Sequence, residues 1–393
     1  MGALNRVLLI HAEGNTFNNP TLKCILDLLL EHGVAVTIRY PSSVTLMPLL
    51  PGITYLPFGR FCRIIKSLFF NRVCSERLSW LSVWIERIFL YKQYDLVIGV
   101  DRQGLIEAGL LFRMTGTPFV FFSFEILFES ETSAAFKSLE RTSAQFARQW
   151  FVQDEVRAMH LQRENDLDPA TRTILPLASS GPGVTGSGRL RDRLGVPFEK
   201  KVAIVMGSLS AWSMTREIIS SVVTWPDEWV LVVHERYGQT TNTLEALGLG
   251  VDVIPEGKVF LSSHAASMVD EMGEILAGIS TGFAFYRPDY SSIYTGRNLE
   301  YLGLASGKIS TFMRYGVPTI MNEIGLYADL AREHGFGLVA RDAADIGALL
   351  PLLADSSWGE KARGFYDEHL DFTNYRDLVW EKFHVEEMNK CGA

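Results

Sequence analysis

Cysteine is scarce: four in 393 residues, Cys24, Cys62, Cys74 and Cys391, with no C-x-x-C pair and no histidine partner at metal-ligand spacing. That sets aside a disulfide framework and a thiolate metal site, and a reduced, cytoplasmic compartment is expected. Long apolar runs are also missing. The first apolar stretch, residues 7–10, is far shorter than a membrane span or a signal-peptide core. Nor does charge of one sign prevail. The 37 Lys and Arg stand against 45 Asp and Glu, a formal net charge of −8, so no nucleic-acid partner is expected. No solenoid period recurs.

What is present is a chain with 47% hydrophobic residues, long enough for two domains that each bury a substantial core. Short β-branched or aromatic runs alternate with helix-length amphipathic stretches, the pattern of βαβ units around parallel sheets. Strands are expected at 6–10, 34–39, 95–100, 118–122 and 149–152 in the first half. In the second they are expected at 201–206, 229–234, 251–254, 282–286, 318–321 and 337–340. A run of Pro, Gly, Ser and Thr at 176–188 cannot build a core element and reads as a linker. The expected domains are therefore 1–175 and 189–355, both Rossmann-like, with closing helices over 356–393 that return toward the first.

Three motifs match in form only. Gly181, Gly183 and Gly186 spell G-x-G-x-x-G inside a breaker-rich loop, not between a strand and a helix. Gly278-Ile-Ser280-Thr-Gly282 has the spacing of a nucleophile elbow, but helix precedes strand there. Asp166-Leu-Asp168 lies at a helix end before Pro169, where a turn is expected, so no metal site is assigned.

The informative segment is Gly303-Leu-Ala-Ser306-Gly307-Lys308-Ile-Ser-Thr311-Phe-Met-Arg-Tyr-Gly316-Val-Pro-Thr-Ile-Met-Asn-Glu323. Ser-Gly-Lys at a helix start combines free backbone N–H groups, a positive dipole end and an ammonium, which suits a diphosphate. This segment resembles the donor-binding stretch of GT-B glycosyltransferases of the group 1, family 4-like type. Val202–Leu209 resembles the first donor-domain strand with its Gly loop, and the run ending at Tyr286 resembles the stretch leading to the donor loop.

The resemblance implies an α/β fold of GT-B architecture, two Rossmann-like domains facing each other across a cleft. It implies a nucleotide-sugar donor held by Gly207, Ser208, Tyr286, Ser306, Gly307, Lys308 and Thr311. Thr311 stands where many members carry the ribose-binding glutamate. No cofactor or metal is implied beyond the substrate, and hexosyl transfer is the expected chemistry, either with retention, where the departing phosphate takes the acceptor proton, or with inversion, where Glu125 or His11 takes it. Polysaccharide, lipopolysaccharide or glycolipid assembly is the usual setting of similar proteins.

On the acceptor side, residues 119–125 run Phe-Val-Phe-Phe-Ser-Phe-Glu, which puts the Glu125 carboxylate at the C-terminal end of an apolar strand. Glu125 and His11 are the candidate catalytic residues, and Gly14 and Asn15 line the same edge as acceptor contacts. Between 58 and 92, seven Lys and Arg interleave with aromatics near helical spacing, against Glu76 and Glu86. That pattern suits the inner face of a membrane bearing a glycan or lipid-linked acceptor, or an ordinary core-facing helix with a solvated basic side. The competing functions are a nucleotide-sugar epimerase of the same fold and a non-catalytic nucleotide-sugar-binding partner.

Overall fold

The computed structural model describes residues 4–12, 14, 16–41, 48–58, 94–186, 189–250, 254–265 and 272–384. Asn15 and the basic stretch from 59 on lie outside them. Phe58, where that stretch begins, is buried under the Arg39 guanidinium, 4.2 Å from its ring centre. The chain forms two compact units, Met1–Pro176 with Tyr375–Ala393, and Leu177–Asn374.

Among the described residues the first unit carries seven parallel strands: β1 (Arg6–Ile10), β2 (Ala35–Tyr40), β3 (Ile53–Pro57), β4 (Leu96–Val100), β5 (Phe119–Phe122), β6 (Gln149–Val152) and β7 (Arg172–Ile174). Their order is β3-β2-β1-β4-β5-β6-β7. The second carries β8 (Lys201–Gly207), β9 (Trp229–Glu235), β10 (Val259–Ser262), β11 (Thr281–Ala284), β12 (Thr319–Asn322) and β13 (Gly337–Ala340). Their order is β10-β9-β8-β11-β12-β13, again parallel throughout. Both are doubly wound sheets. In each the order reverses beside the first strand, so the crevice at the carboxyl ends of β1 and β4, and of β8 and β11, is where such sheets take ligands.

The interior strands are buried on both faces, as Val202–Met206 and Val230–Val233 illustrate, hence their unbroken apolar runs. The strands that the pattern does not predict, β3, β7 and β10, are three of the four sheet edges. Edge strands are short and half exposed, so alternation and hydrophobicity both weaken. Of the strand expected at 251–254, Ile254 lies in a bend and the rest falls outside the described residues.

Residues 177–183, read from sequence as connector, are held inside the second unit. Tyr366 Oη donates to the Ser179 carbonyl at 2.7 Å, and Arg314 donates to the carbonyls of Ser180 and Gly181 at 2.9 and 3.0 Å. Small residues suit this role because they let backbone carbonyls approach those side chains closely. The second compact unit ends at Asn374, and the chain rejoins the first unit from Tyr375. The helix Arg376–His384 belongs to the first unit, where Phe383 packs edge-on against Phe122 and Phe151 at 6.3 and 6.2 Å.

Candidate functional site

In the second unit the helix Gly307–Arg314 presents Ile309, Phe312 and Met313 to the core. It seats because Gly282 of β11 has no side chain: a Cβ there would lie 2.4 Å from the Phe312 ring. Ser306 is the N-cap, its Oγ accepting from Ile309 N at 3.3 Å, and it shares a 2.8 Å hydrogen bond with Tyr286 Oη. The Tyr286 backbone is pinned in turn by the Asn322 amide at 2.9 and 2.7 Å. Burial pushes the Tyr286 phenol up to about 12, the Ser306 hydrogen bond acting the other way.

Lys308 is the second helical residue. The residue is partly exposed as a whole, yet Nζ is shut off from solvent and has no hydrogen-bond partner among the described residues. The ammonium lies over the Tyr286 ring, 5.3 Å from its centre. Gly207, at φ +93°, turns the chain out of β8 in a conformation side chains rarely adopt, and its missing Cβ would sit 3.7 Å from Lys308 Cε. Burial lowers the ammonium to about 8, with the Arg236 charge adding to the effect. Arg236 follows β9 and makes no ion pair among the described residues. Two cations thus gather at strand ends and a helix N-terminus without an ion pair among the described residues, which favours an anion.

The structure brings Gly207, Tyr286, Ser306, Gly307 and Lys308 together, with Ser208 exposed directly after Gly207. It spends two of the expected groups internally. The Ser306 hydroxyl caps the helix, and Thr311 Oγ1 donates back to the Gly307 carbonyl at 2.6 Å. Arg236 and Trp212, which stacks on Tyr286 at 5.9 Å, were not foreseen. Position after a strand end is their only sequence signal.

In the first unit His11 leaves β1 buried. Its Nδ1 is 3.3 Å from Thr16 Oγ1, and a Cβ at Gly14 would lie 2.8 Å from Nε2, so Gly14 leaves room for the ring. Burial lowers His11 to about 4, which makes it neutral and a weak base. Asp101 directly follows β4, the strand paired with β1, at φ +53° and is 6% exposed. Its Oδ1 accepts the amides of Phe124 and Glu125 at 2.7 and 2.9 Å, fixing the turn that carries Glu125. Burial raises Asp101 to about 6, opposed by those two amides and by Arg102 and Arg157. The buried Arg157 guanidinium donates to Phe124 O at 2.7 Å and Gln153 Oε1 at 2.8 Å. Glu125 lies within its electrostatic reach.

Among the described residues no group of three or more His, Cys, Asp or Glu is placed to hold a metal ion, and no helix is long and apolar enough to cross a membrane.

No protein-family model and no curated protein sequence matches the chain. Solved structures do. HepE of Anabaena in complex with UDP-glucose superposes with a TM-score of 0.67 at 12% identity, over 96% of this chain and 98% of that one. Sucrose-phosphate synthase of Thermosynechococcus elongatus gives 0.66 at 10%, over 96% and 98%. WaaG, a glycosyltransferase involved in lipopolysaccharide biosynthesis, gives 0.62 at 12%, over 97% and 100%. With its two doubly wound parallel sheets, the chain has the GT-B glycosyltransferase fold.

Proposed function

We propose that the chain is a glycosyltransferase whose second unit binds a nucleotide diphosphate sugar. The observation that carries this is the buried, unpartnered Lys308 ammonium at a helix N-terminus, with Arg236 nearby and Gly207 clearing the approach. A diphosphate supplies the missing counter-charge. UDP-sugars are the first candidates, because HepE of similar fold is solved with UDP and with UDP-glucose. Lysine, arginine and the free amides of Gly307 and Lys308 neutralise the phosphates, so transfer proceeds without a divalent metal.

In transfer the bond from the sugar anomeric carbon to phosphate breaks, and a bond to an acceptor oxygen forms. The acceptor is a glycan or a lipid-linked glycan reaching a cytoplasmic enzyme that can sit at the inner membrane face. Retention belongs to the same proposal, on the resemblance of the segment ending at Glu323: the departing phosphate takes the acceptor proton and Glu125 orients the acceptor hydroxyl. His11 contributes a neutral hydrogen-bonding group. The test is a titration with UDP, GDP, CMP, ADP and dTDP and their sugars in the absence of metal. Saturable binding of UDP that Lys308→Ala abolishes supports the reading. Binding of no nucleotide sinks it.

A further inference from the structure

Thr311 stands where the resemblance expects a ribose-binding carboxylate, and its hydroxyl hydrogen goes to Gly307 O. A different acid stands at the same strand ends. Glu235 closes β9 and pairs in register with Gly207, the residue that borders Lys308. Its side chain is held through one oxygen only. Oε2 accepts the amides of Tyr237 and Gln239 at 2.7 and 3.0 Å, and the Glu235 amide donates to Thr240 Oγ1 at 3.0 Å. Oε1 has no partner among the described residues, and no ion pair joins Glu235 to Arg236 or Lys308.

An ionised carboxylate accepts at about four lone-pair sites, and the turn occupies two. The remaining oxygen belongs to a residue that is only 8% exposed and whose other oxygen is fixed by two backbone amides. Next to it, His234 bonds Ser262 Oγ through Nδ1 at 3.0 Å and leaves a buried Nε2 with no partner. Two polar groups at the end of β9 therefore lack partners among the described residues. The local order is strand, Gly207 turn, helix Thr215–Ser221, strand, acid. In doubly wound sheets that bind dinucleotides, an acid about 20 residues beyond the glycine turn accepts a hydrogen bond from the ribose 2′-hydroxyl.

We infer that Glu235 binds the ribose hydroxyls of the donor nucleotide, with one carboxylate oxygen fixed by the 237–239 turn and the other left for the sugar. The inference rests on the nucleotide reading above and extends it to a residue of β9. Arg236 and Glu235 then divide the ligand between them, phosphate to the arginine and ribose to the glutamate.

The experiment compares UDP, 2′-deoxy-UDP, 3′-deoxy-UDP and inorganic pyrophosphate on the wild type and on Glu235→Gln, whose side-chain oxygen still serves the two turn amides. The wild type should favour UDP over at least one deoxy analogue by about ten- to a hundredfold, the range for a hydrogen bond to a charged group. Glu235→Gln should lose that preference and keep its affinity for pyrophosphate. A purely structural role weakens all four ligands alike and overturns the inference. So does a wild type that binds UDP and both analogues equally, a comparison that needs no variant. If neither UDP nor pyrophosphate binds the wild type, the nucleotide reading falls and takes this inference with it.

Discussion

The Lys308 ammonium lies 5.3 Å from the centre of the Tyr286 ring, and among the described residues no hydrogen-bond acceptor reaches it. A cation left over an aromatic face, with a second cation nearby, is held ready for an anion at the expense of the empty protein.

Binding of UDP should therefore depend on pH. Lys308 titrates at about 8 in the free protein and higher once a diphosphate lies beside it, so binding above that pH must take up a proton. Affinity should hold steady below about 8 and fall by about tenfold per unit above it. Calorimetry in buffers of different ionisation heat reads the proton uptake directly. Arg236→Gln removes one cause of the lowering and should move the limb to higher pH; an unmoved limb would detach Arg236 from the site.

The same desolvation makes a stability prediction. A lysine whose folded value is lowered contributes stability that is present above 10.5 and lost as pH falls through about 8. Lys308→Met, similar in shape and uncharged, should be more stable than the wild type near neutral pH by ~1–2 kcal/mol, allowing for solvent screening. That margin should shrink as pH rises toward 10.5. Thermal unfolding of both proteins across that range checks it.

Asp101 should behave in the opposite sense. Its folded value is raised from 3.8 to about 6, so its contribution is full below 3.8 and lost as pH climbs through about 6. Against Asp101→Asn, which keeps an acceptor for the Phe124 and Glu125 amides and tolerates left-handed backbone, the wild type should gain stability as pH drops across that window. Denaturant midpoints of the pair between those limits decide it.

Glu125→Gln should lower turnover by roughly 10²-fold, as loss of positioning does, with UDP affinity retained, since the nucleotide groups lie in the other unit. Initial rates with a saturating donor, set beside a UDP titration, separate the two quantities. Unchanged turnover would leave Glu125 as a partner of Arg157 and nothing more.

How far the sequence discloses this protein varies with depth in the fold. Strands such as β8 and β9 are legible because burial on both faces demands unbroken apolar runs, whereas β3, β7 and β10 are edges with no such demand. In the site, Gly207 and Lys308 are legible because a turn and a phosphate each constrain residue type. Arg236 is not, since a cation after a strand carries no local signature and acquires meaning only when the helix carrying Lys308 packs near it. Asp101 stays hidden for another reason. Its backbone lies at φ +53°, where glycine is the expected residue, and what selects aspartate is a pair of amides more than twenty positions away. Ser306 shows the converse: a group read as a ligand contact is consumed as a helix cap.

Phe383, seated on Phe122 and Phe151, carries a consequence for how the protein is made. The first unit closes only after the second has been made, because a wall of its core arrives with the helix Arg376–His384. The second unit, one unbroken stretch from Leu177 to Asn374, can close while that helix is still being synthesised. A stop codon that removes Arg376–His384 should thus damage the unit that contains Met1–Pro176 more than the one beside it in the sequence.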